Sequence, residues 1–372
     1  MKINFIISNW GNAHQLSRAT HLEERYDSAI YFGFLRNIYP TNKSINFKVL
    51  GKLRPGYYSN RLLVYIRSVI ILIKDIKRQE LIYVFGLDNL ISISLVNLFF
   101  ARRWKLVYEI SDVREILIKR GLFSSCLRVL DGFFIKRCML VVTTSSQFIE
   151  DYYLHERGLM LKNYIELENK VHPVAGDLKT TKNDKLKIEN RIVVGYFGMI
   201  RCQRSLELIK QLQEKSDRFY FIFRGVLMPS VKERWENDIM NIPNSSFLGS
   251  YNSPENLAYM YNEIDMSWIM YPFSEKKIGN WKWAKTNRYY EAGYYKTPMI
   301  ASENTQDAIR VTKLGTGIAL DLLDINGSLA VLMKLCRNDL LHYTNNLESL
   351  DRSLFEVTND YDILAERIKE KL

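Results

Sequence analysis

At 372 residues the chain is long for a single hydrophobic core, so two domains are expected. Its 47% hydrophobic and 25% charged residues exclude a disordered chain, and no apolar run reaches the roughly 20 residues of a membrane-spanning helix. Residues 1–170 carry 25 Lys and Arg against 15 Asp and Glu, whereas 171–372 carry 27 against 26, so the net charge of +11 sits almost wholly in the first half.

In chain order, apolar runs that suit strands fall at 3–8, 28–34, 45–50, 81–85, 105–110 and 139–144. Helical patterns lie between them near 13–25, 59–79, 88–101, 122–137 and 146–155. Strands rich in Val, Ile and Phe that alternate with helices imply a parallel sheet covered on both faces. Residues 166–191 turn polar and charged, as an interdomain connector does. The alternation restarts with strands at 192–198, 220–225, 246–249, 266–270 and 299–301. The expected organisation is an N-terminal Rossmann-like domain over 1–168, a linker over 169–190, a second Rossmann-like domain over 191–355 and a closing helix over 356–372. Cys126, Cys138, Cys202 and Cys336 show no metal-type spacing and read as reduced thiols with a packing role. His14 and His21 are seven apart rather than four, which does not suit a helical metal pair.

The second half carries the most chemistry. Gly198 ends an apolar strand, and Arg201 and Arg204 follow at the start of a helix. A glycine lets backbone approach a ligand, the helix start is electropositive, and guanidinium forks bind phosphate oxygens in pairs. Farther on, Lys285, Asn287 and Arg288 lead into a helix that carries Glu291, before Pro298 opens the strand Met299-Ile300-Ala301. Cations at a helix start suit a diphosphate, and a carboxylate one turn later suits the paired hydroxyls of a ribose.

In order and spacing these segments resemble the donor-nucleotide half of GT-B glycosyltransferases, above all the family 4 group (glycosyl transferases group 1) of the bacterial surface-polysaccharide type. That resemblance implies two Rossmann-like parallel-sheet domains facing a cleft. It implies that Gly198, Arg201, Arg204, Lys285 and Arg288 face the diphosphate, that Asn287 lies with them in the donor site and that Glu291 binds ribose. The run Ser246 to Asp265 is similar to the group's loop beside the nucleobase, which makes Tyr251 the residue flanking the base, with Asp265 bracing the next strand. Two positions depart from the pattern: Trp283 stands where relatives often have a first glutamate, and Lys296 where a glycine is usual. Asn287 and Arg288 would then partly replace the missing sugar contact.

In the first half, Ser8 to Asn12 follows the first strand, and the resemblance puts Gly11 beside donor and acceptor. Arg18 in the next helix reads as a phosphate contact or an exposed charge. Asp112 lies beyond the strand 105–110, and relatives carry an acid or histidine at this carboxyl end. It is the candidate for orienting the acceptor hydroxyl, with helix capping as the plain alternative. Arg61, Arg67, Lys74, Lys77 and Arg78 punctuate one apolar helix. Lys119, Arg120, Arg128, Lys136 and Arg137 lie on and around another, among Leu117, Phe123, Leu127, Phe133 and Phe134. Basic amphipathic helices of this kind suit an anionic membrane surface.

The resulting expectation is a hexosyl- or related glycosyltransferase using a UDP- or GDP-linked sugar as donor substrate and no separate cofactor. Retention and metal independence are implied by the resemblance. Its acceptor would be a saccharide or polyprenyl-linked saccharide, and its place the cytoplasmic face of the cell membrane, since Met1-Lys2 leads into a strand rather than a signal peptide. A catalytically silent partner subunit and a nucleotide-sugar epimerase of the same fold are the alternatives. No nucleic-acid-binding motif accompanies the basic charge.

Overall fold

The computed structural model describes residues 1–36, 47–53, 59–173, 191–271 and 279–372. They form two compact units: Met1–Glu168 with Asn359–Leu372, and Asn169–Thr358.

The first unit is built on seven strands: β1 (Lys2–Ile7), β2 (Ser28–Arg36), β3 (Lys48–Leu53), β4 (Leu81–Phe85), β5 (Lys105–Ile110), β6 (Leu140–Thr143) and β7 (Tyr164–Glu166). They lie in the order β3-β2-β1-β4-β5-β6-β7, every neighbouring pair parallel. All five side chains of β4 and all four of β6 are buried, which is why these strands read as unbroken apolar runs. The connecting helices are α1 (Ala13–Glu23), α2 (Ser59–Asp75), α3 (Leu87–Phe99), α4 (Glu115–Ile118) and α5 (Leu122–Ile135). Of the strand expected over 45–50, residues 45 and 46 lie outside the described residues, and β3 extends to Leu53. The helix expected at 146–155 is π-helical over Phe148–Glu156. β7 has only three partly buried residues, too few for any periodicity to reveal.

The second unit repeats the plan with β8 (Ile192–Ile200), β9 (Phe219–Leu227), β10 (Ser245–Phe247), β11 (Met266–Trp268), β12 (Met299–Ser302) and β13 (Gly317–Leu320). The order is β10-β9-β8-β11-β12-β13, again all parallel. Its helices are α6 (Gln203–Lys215), α7 (Pro229–Trp235), α8 (Leu257–Asn262), α9 (Asn280–Trp283), α10 (Asn287–Tyr294), α11 (Gln306–Lys313), α12 (Ile325–Lys334) and α13 (Arg337–Ser349). Asp265 braces this sheet: its carboxylate accepts from the Val193 amide at 2.9 Å and pairs with Arg337 at 3.0 Å.

Of the polar connector, residues 174–190 lie outside the described residues. Residues 169–173 belong to the second unit, where Val171 is held between Phe355 and Val357 by backbone bonds of 2.8 and 2.9 Å. The chain then returns to the first unit as α14 (Asp360–Lys369). There Arg25 bonds Asp362 at 3.0 Å, and Arg18 stands 5.8 Å from the centre of the Tyr361 ring. Among the described residues no helix is long and apolar enough to cross a membrane.

Three glycines line up across the carboxyl ends of β8, β9 and the loop after β10. Gly198 is the register partner of Gly225, whose amide donates to the Gly249 carbonyl at 2.6 Å. All three have positive φ: 90°, 136° and 70°. A Cβ on Gly225 would stand 1.8 Å from the Gly198 carbonyl oxygen, so only glycine permits this approach. Gly225→Ala is therefore expected to destabilise the protein by more than about 1 kcal/mol, seen as a lowered midpoint in chemical denaturation. An unchanged midpoint would show that the backbone relaxes there at no cost.

Candidate functional site

Ligands of doubly wound sheets bind outside the carboxyl ends of the strands, where the strand order reverses. In the second unit that place lies between β8 and β11. Beyond β8 come Arg201 and then Cys202, the N-cap of α6, which makes no side-chain cap bond. The first amides of α6 thus have no capping side chain and give this end partial positive charge. The Arg201 guanidinium lies 4.6 Å from the centre of the Tyr271 ring, and its buried Nε has no hydrogen-bond partner among the described residues. An arginine so placed at a helix start suits an anionic ligand.

α10 supplies the other half of the site. Thr286 caps it by accepting from the Tyr289 amide at 3.3 Å, and the Thr286 amide itself donates to Asp307 at 3.2 Å. Burial pushes the Asp307 carboxyl up to about 6, against the pull of its Thr286 hydrogen bonds. Arg288 donates to the carbonyls of Met270 at 2.9 Å and Trp268 at 3.4 Å, and its guanidinium sits 5.5 Å from the Tyr196 ring centre. A guanidinium has five N–H donors, so these two bonds leave others for a ligand.

Glu291, one turn along, accepts from the Tyr261 hydroxyl at 2.9 Å. Burial raises its carboxyl above the ordinary value, while Tyr261 and the Arg288 charge draw it back down. Tyr251 is half-buried, its hydroxyl 3.7 Å from where a Cβ on Gly198 would stand. Burial and then the Glu291 charge raise its phenol, and Arg288 opposes them. Tyr251, Arg288 and Glu291 therefore form one electrostatic cluster over Gly198, with Arg201 on the strand end beside it.

The remaining residues are placed differently. Arg204 reaches the Leu322 carbonyl at 3.5 Å, tying α6 to the segment after β13. Lys285 is buried just before the α10 cap, and Asn287 is exposed on the first turn. Trp283 fills its position as a buried ring in α9. Tyr261 and Tyr271 were not singled out by sequence. Their partners come from other elements, and nothing local marks them.

In the first unit the reversal lies between β1 and β4. Gly11 is in the β1–α1 turn, its amide donating to Asn9 Oδ1 at 3.4 Å. Arg18 is not an exposed charge. It is buried, pairs with Glu109 at 3.4 Å and donates to the Leu167 carbonyl at 2.9 Å. It is turned inward because Glu109, fully buried near the end of β5, requires a countercharge.

Glu109 also accepts from the Tyr83 hydroxyl at 2.6 Å and from Ser111 at 3.2 Å, and meets His14 Nε2 at 3.2 Å. Burial works to raise its carboxyl, but Arg18, His14 and Tyr83 outweigh it and hold the group at about 2. Asp112 is exposed in the loop beyond, and the N-cap position of α4 falls on Arg114, which makes no side-chain cap bond. His14, with its side chain 26% exposed, was missed as a site residue. An imidazole oriented by an ionised carboxylate can bind and orient a hydroxyl. The legible signal was Glu109 itself, a lone carboxylate within the apolar strand Lys105–Ile110. Among the described residues no group of three His, Cys, Asp or Glu could hold a metal ion.

No protein-family model matches the chain. The succinoglycan biosynthesis protein ExoL of Rhizobium meliloti (strain 1021) is 27% identical over 296 residues, covering 78% of this chain and 73% of the relative. HepE of Anabaena, solved in complex with UDP and glucose, superposes with a TM-score of 0.72 at 14% identity over the full length of both chains. WaaG, a glycosyltransferase involved in lipopolysaccharide biosynthesis, gives 0.66 at 12% identity over 98% of this chain and 99% of its own. With its two all-parallel Rossmann-like sheets, the chain has the GT-B fold of these glycosyltransferases.

The Glu109 network gives an acid-stability prediction. Its folded-state value lies below the ordinary 4.5, so its contribution is complete above pH 4.5 and is lost as pH falls from there through about 2. Thermal melts of Glu109→Gln should show a lower midpoint at neutral pH and a flatter decline across that window than the parent. Parallel declines in the two proteins would disprove the assignment.

Proposed function

We propose that this chain is a glycosyltransferase that moves a hexosyl or related residue from a UDP- or GDP-linked sugar to a saccharide or polyprenyl-linked saccharide. The product belongs to a surface polysaccharide: capsule, O-antigen or exopolysaccharide. The observation that carries this reading is the Tyr251, Arg288 and Glu291 cluster at the strand-order reversal, beside Arg201 and the start of α6. The similarity to a succinoglycan biosynthesis protein, and to a structure that binds UDP and glucose, supports it.

In this mechanism Glu291 takes the ribose hydroxyls and Tyr251 flanks the base. Arg201, Arg288 and the α6 amides, with help from Arg204, Lys285 and Asn287, receive the diphosphate. As the bond from the anomeric carbon to the phosphate oxygen breaks, negative charge grows on the leaving diphosphate. Fixed guanidinium groups stabilise it without a bound metal, and one such donor is worth roughly a hundred- to thousand-fold in rate. No cofactor beyond the donor substrate takes part, and the anomeric configuration is retained. On the acceptor side Asp112 orients the attacking hydroxyl near the Gly11 turn. His14, fixed by Glu109, is a second group able to do so. A lipid-linked acceptor places the enzyme at the cytoplasmic face of the cell membrane, where its basic first half meets anionic lipid.

Calorimetric titration with UDP, GDP and ADP and with their sugars tests the donor site. The parent should bind one nucleotide series, and Glu291→Ala should weaken that binding about ten- to hundred-fold, the value of a bond or two to a charged group. Glu291→Gln, which keeps the Tyr261 partner in place, controls for folding and should also bind more weakly. Failure of every nucleotide to bind, or equal affinity in all three proteins, would overturn the reading.

A further inference from the structure

α5 presents an apolar face to the outside. Leu122 is 89% exposed, Phe123 70%, Val129 71% and Phe133 41%. Leu122, Val129 and Phe133 recur at i, i+7 and i+11, so they share one side of the helix. The buried side instead carries Ser124 and Asp131 along with Phe134 and Ile135. α3 packs against α5, and it too ends in exposed apolar residues, Leu98, Phe99 and Phe100. Exposed large apolar side chains gathered on adjacent helices mark an interaction surface rather than ordinary solvent-facing protein.

The charge around this face selects the partner. Between 119 and 137 the chain has five cations and a single acid, Asp131. That acid is buried and paired with Arg157, so it offers no counter-charge outside. Lys119 and Arg120 precede the apolar row, and Lys136 and Arg137 follow it, with the Arg137 guanidinium 3.4 Å from the centre of the Phe133 ring. An apolar helix face with long cationic side chains at both ends can bury its apolar row below a headgroup layer while the charges stay at phosphate level.

We propose that the outward face of α5, with the end of α3, inserts into an anionic bilayer and docks the first unit there. This rests on the reading that the acceptor is lipid-linked, and it adds apolar insertion to simple charge attraction. Binding should accordingly persist in part at high salt, where attraction between exposed charges is screened.

The test is co-sedimentation of the full chain with vesicles of equimolar phosphatidylglycerol and phosphatidylcholine, and with phosphatidylcholine alone. The parent should bind the anionic vesicles and retain part of that binding in high salt. Leu122→Glu combined with Val129→Glu should lower binding at least about ten-fold, since charged groups replace the inserted residues. Lys119→Glu combined with Arg120→Glu should weaken binding mainly at low salt. Both altered sites are exposed, and the same proteins titrated with nucleotide report whether the donor site is intact. Absence of parental binding to anionic vesicles, or binding indifferent to both double substitutions, would overturn the proposal even where nucleotide binding stands. So would self-association that is abolished by the glutamates, which would assign the face to a second copy of the chain.

Discussion

The candidate donor site depends on one clamp: the Arg288 guanidinium held on the carbonyls of Trp268 and Met270. Those carbonyls lie at the end of β11 and two residues beyond it. By taking them, Arg288 fixes the first turn of α10 to the sheet edge. Glu291 then falls one turn deeper, within reach of Tyr261 and below Tyr251. The Arg288 guanidinium thus also sets where the carboxylate stands. The cap formed by Thr286 and Asp307 secures the helix from its other side.

The glycine row answers a related demand. A ligand that approaches the carboxyl ends of β8 and β9 needs space next to backbone. Gly198, Gly225 and Gly249 leave out three side chains where the strands draw together. Tyr251 closes over this gap with its hydroxyl rather than filling it. In the first unit the corresponding edge is organised by charge: Glu109 is buried deeply enough to demand Arg18, and the pair positions His14 and Tyr83 around it.

Much of this was legible along the chain. β4 and β6 are buried on both faces, so their composition announces a parallel sheet, and the polar stretch before β8 separates two such sheets. The places of Arg201 at the start of α6 and of Arg288 and Glu291 on α10 were legible because a helix start and a one-turn spacing are local relations. Arg18 was misread for the opposite reason. Its partner is 91 residues away, and an arginine on an amphipathic helix looks the same whether it faces water or a buried acid. Helix α5 misleads in a comparable way, since its apolar residues divide between two sides and sequence alone does not say which one meets the sheet.

The sequence by itself determined the two-sheet α/β plan, the basic bias of the first half and the local spacing of Arg201, Arg288 and Glu291. Those properties follow from periodicity, composition and neighbouring residues, which a linear chain displays. Tertiary structure decided which acid is buried and ionised, which tyrosines attend Glu291 and Arg201, and which side of α5 is left uncovered. Each of these is set by desolvation and by partners brought in from distant strands, and such relations exist only once the chain has packed.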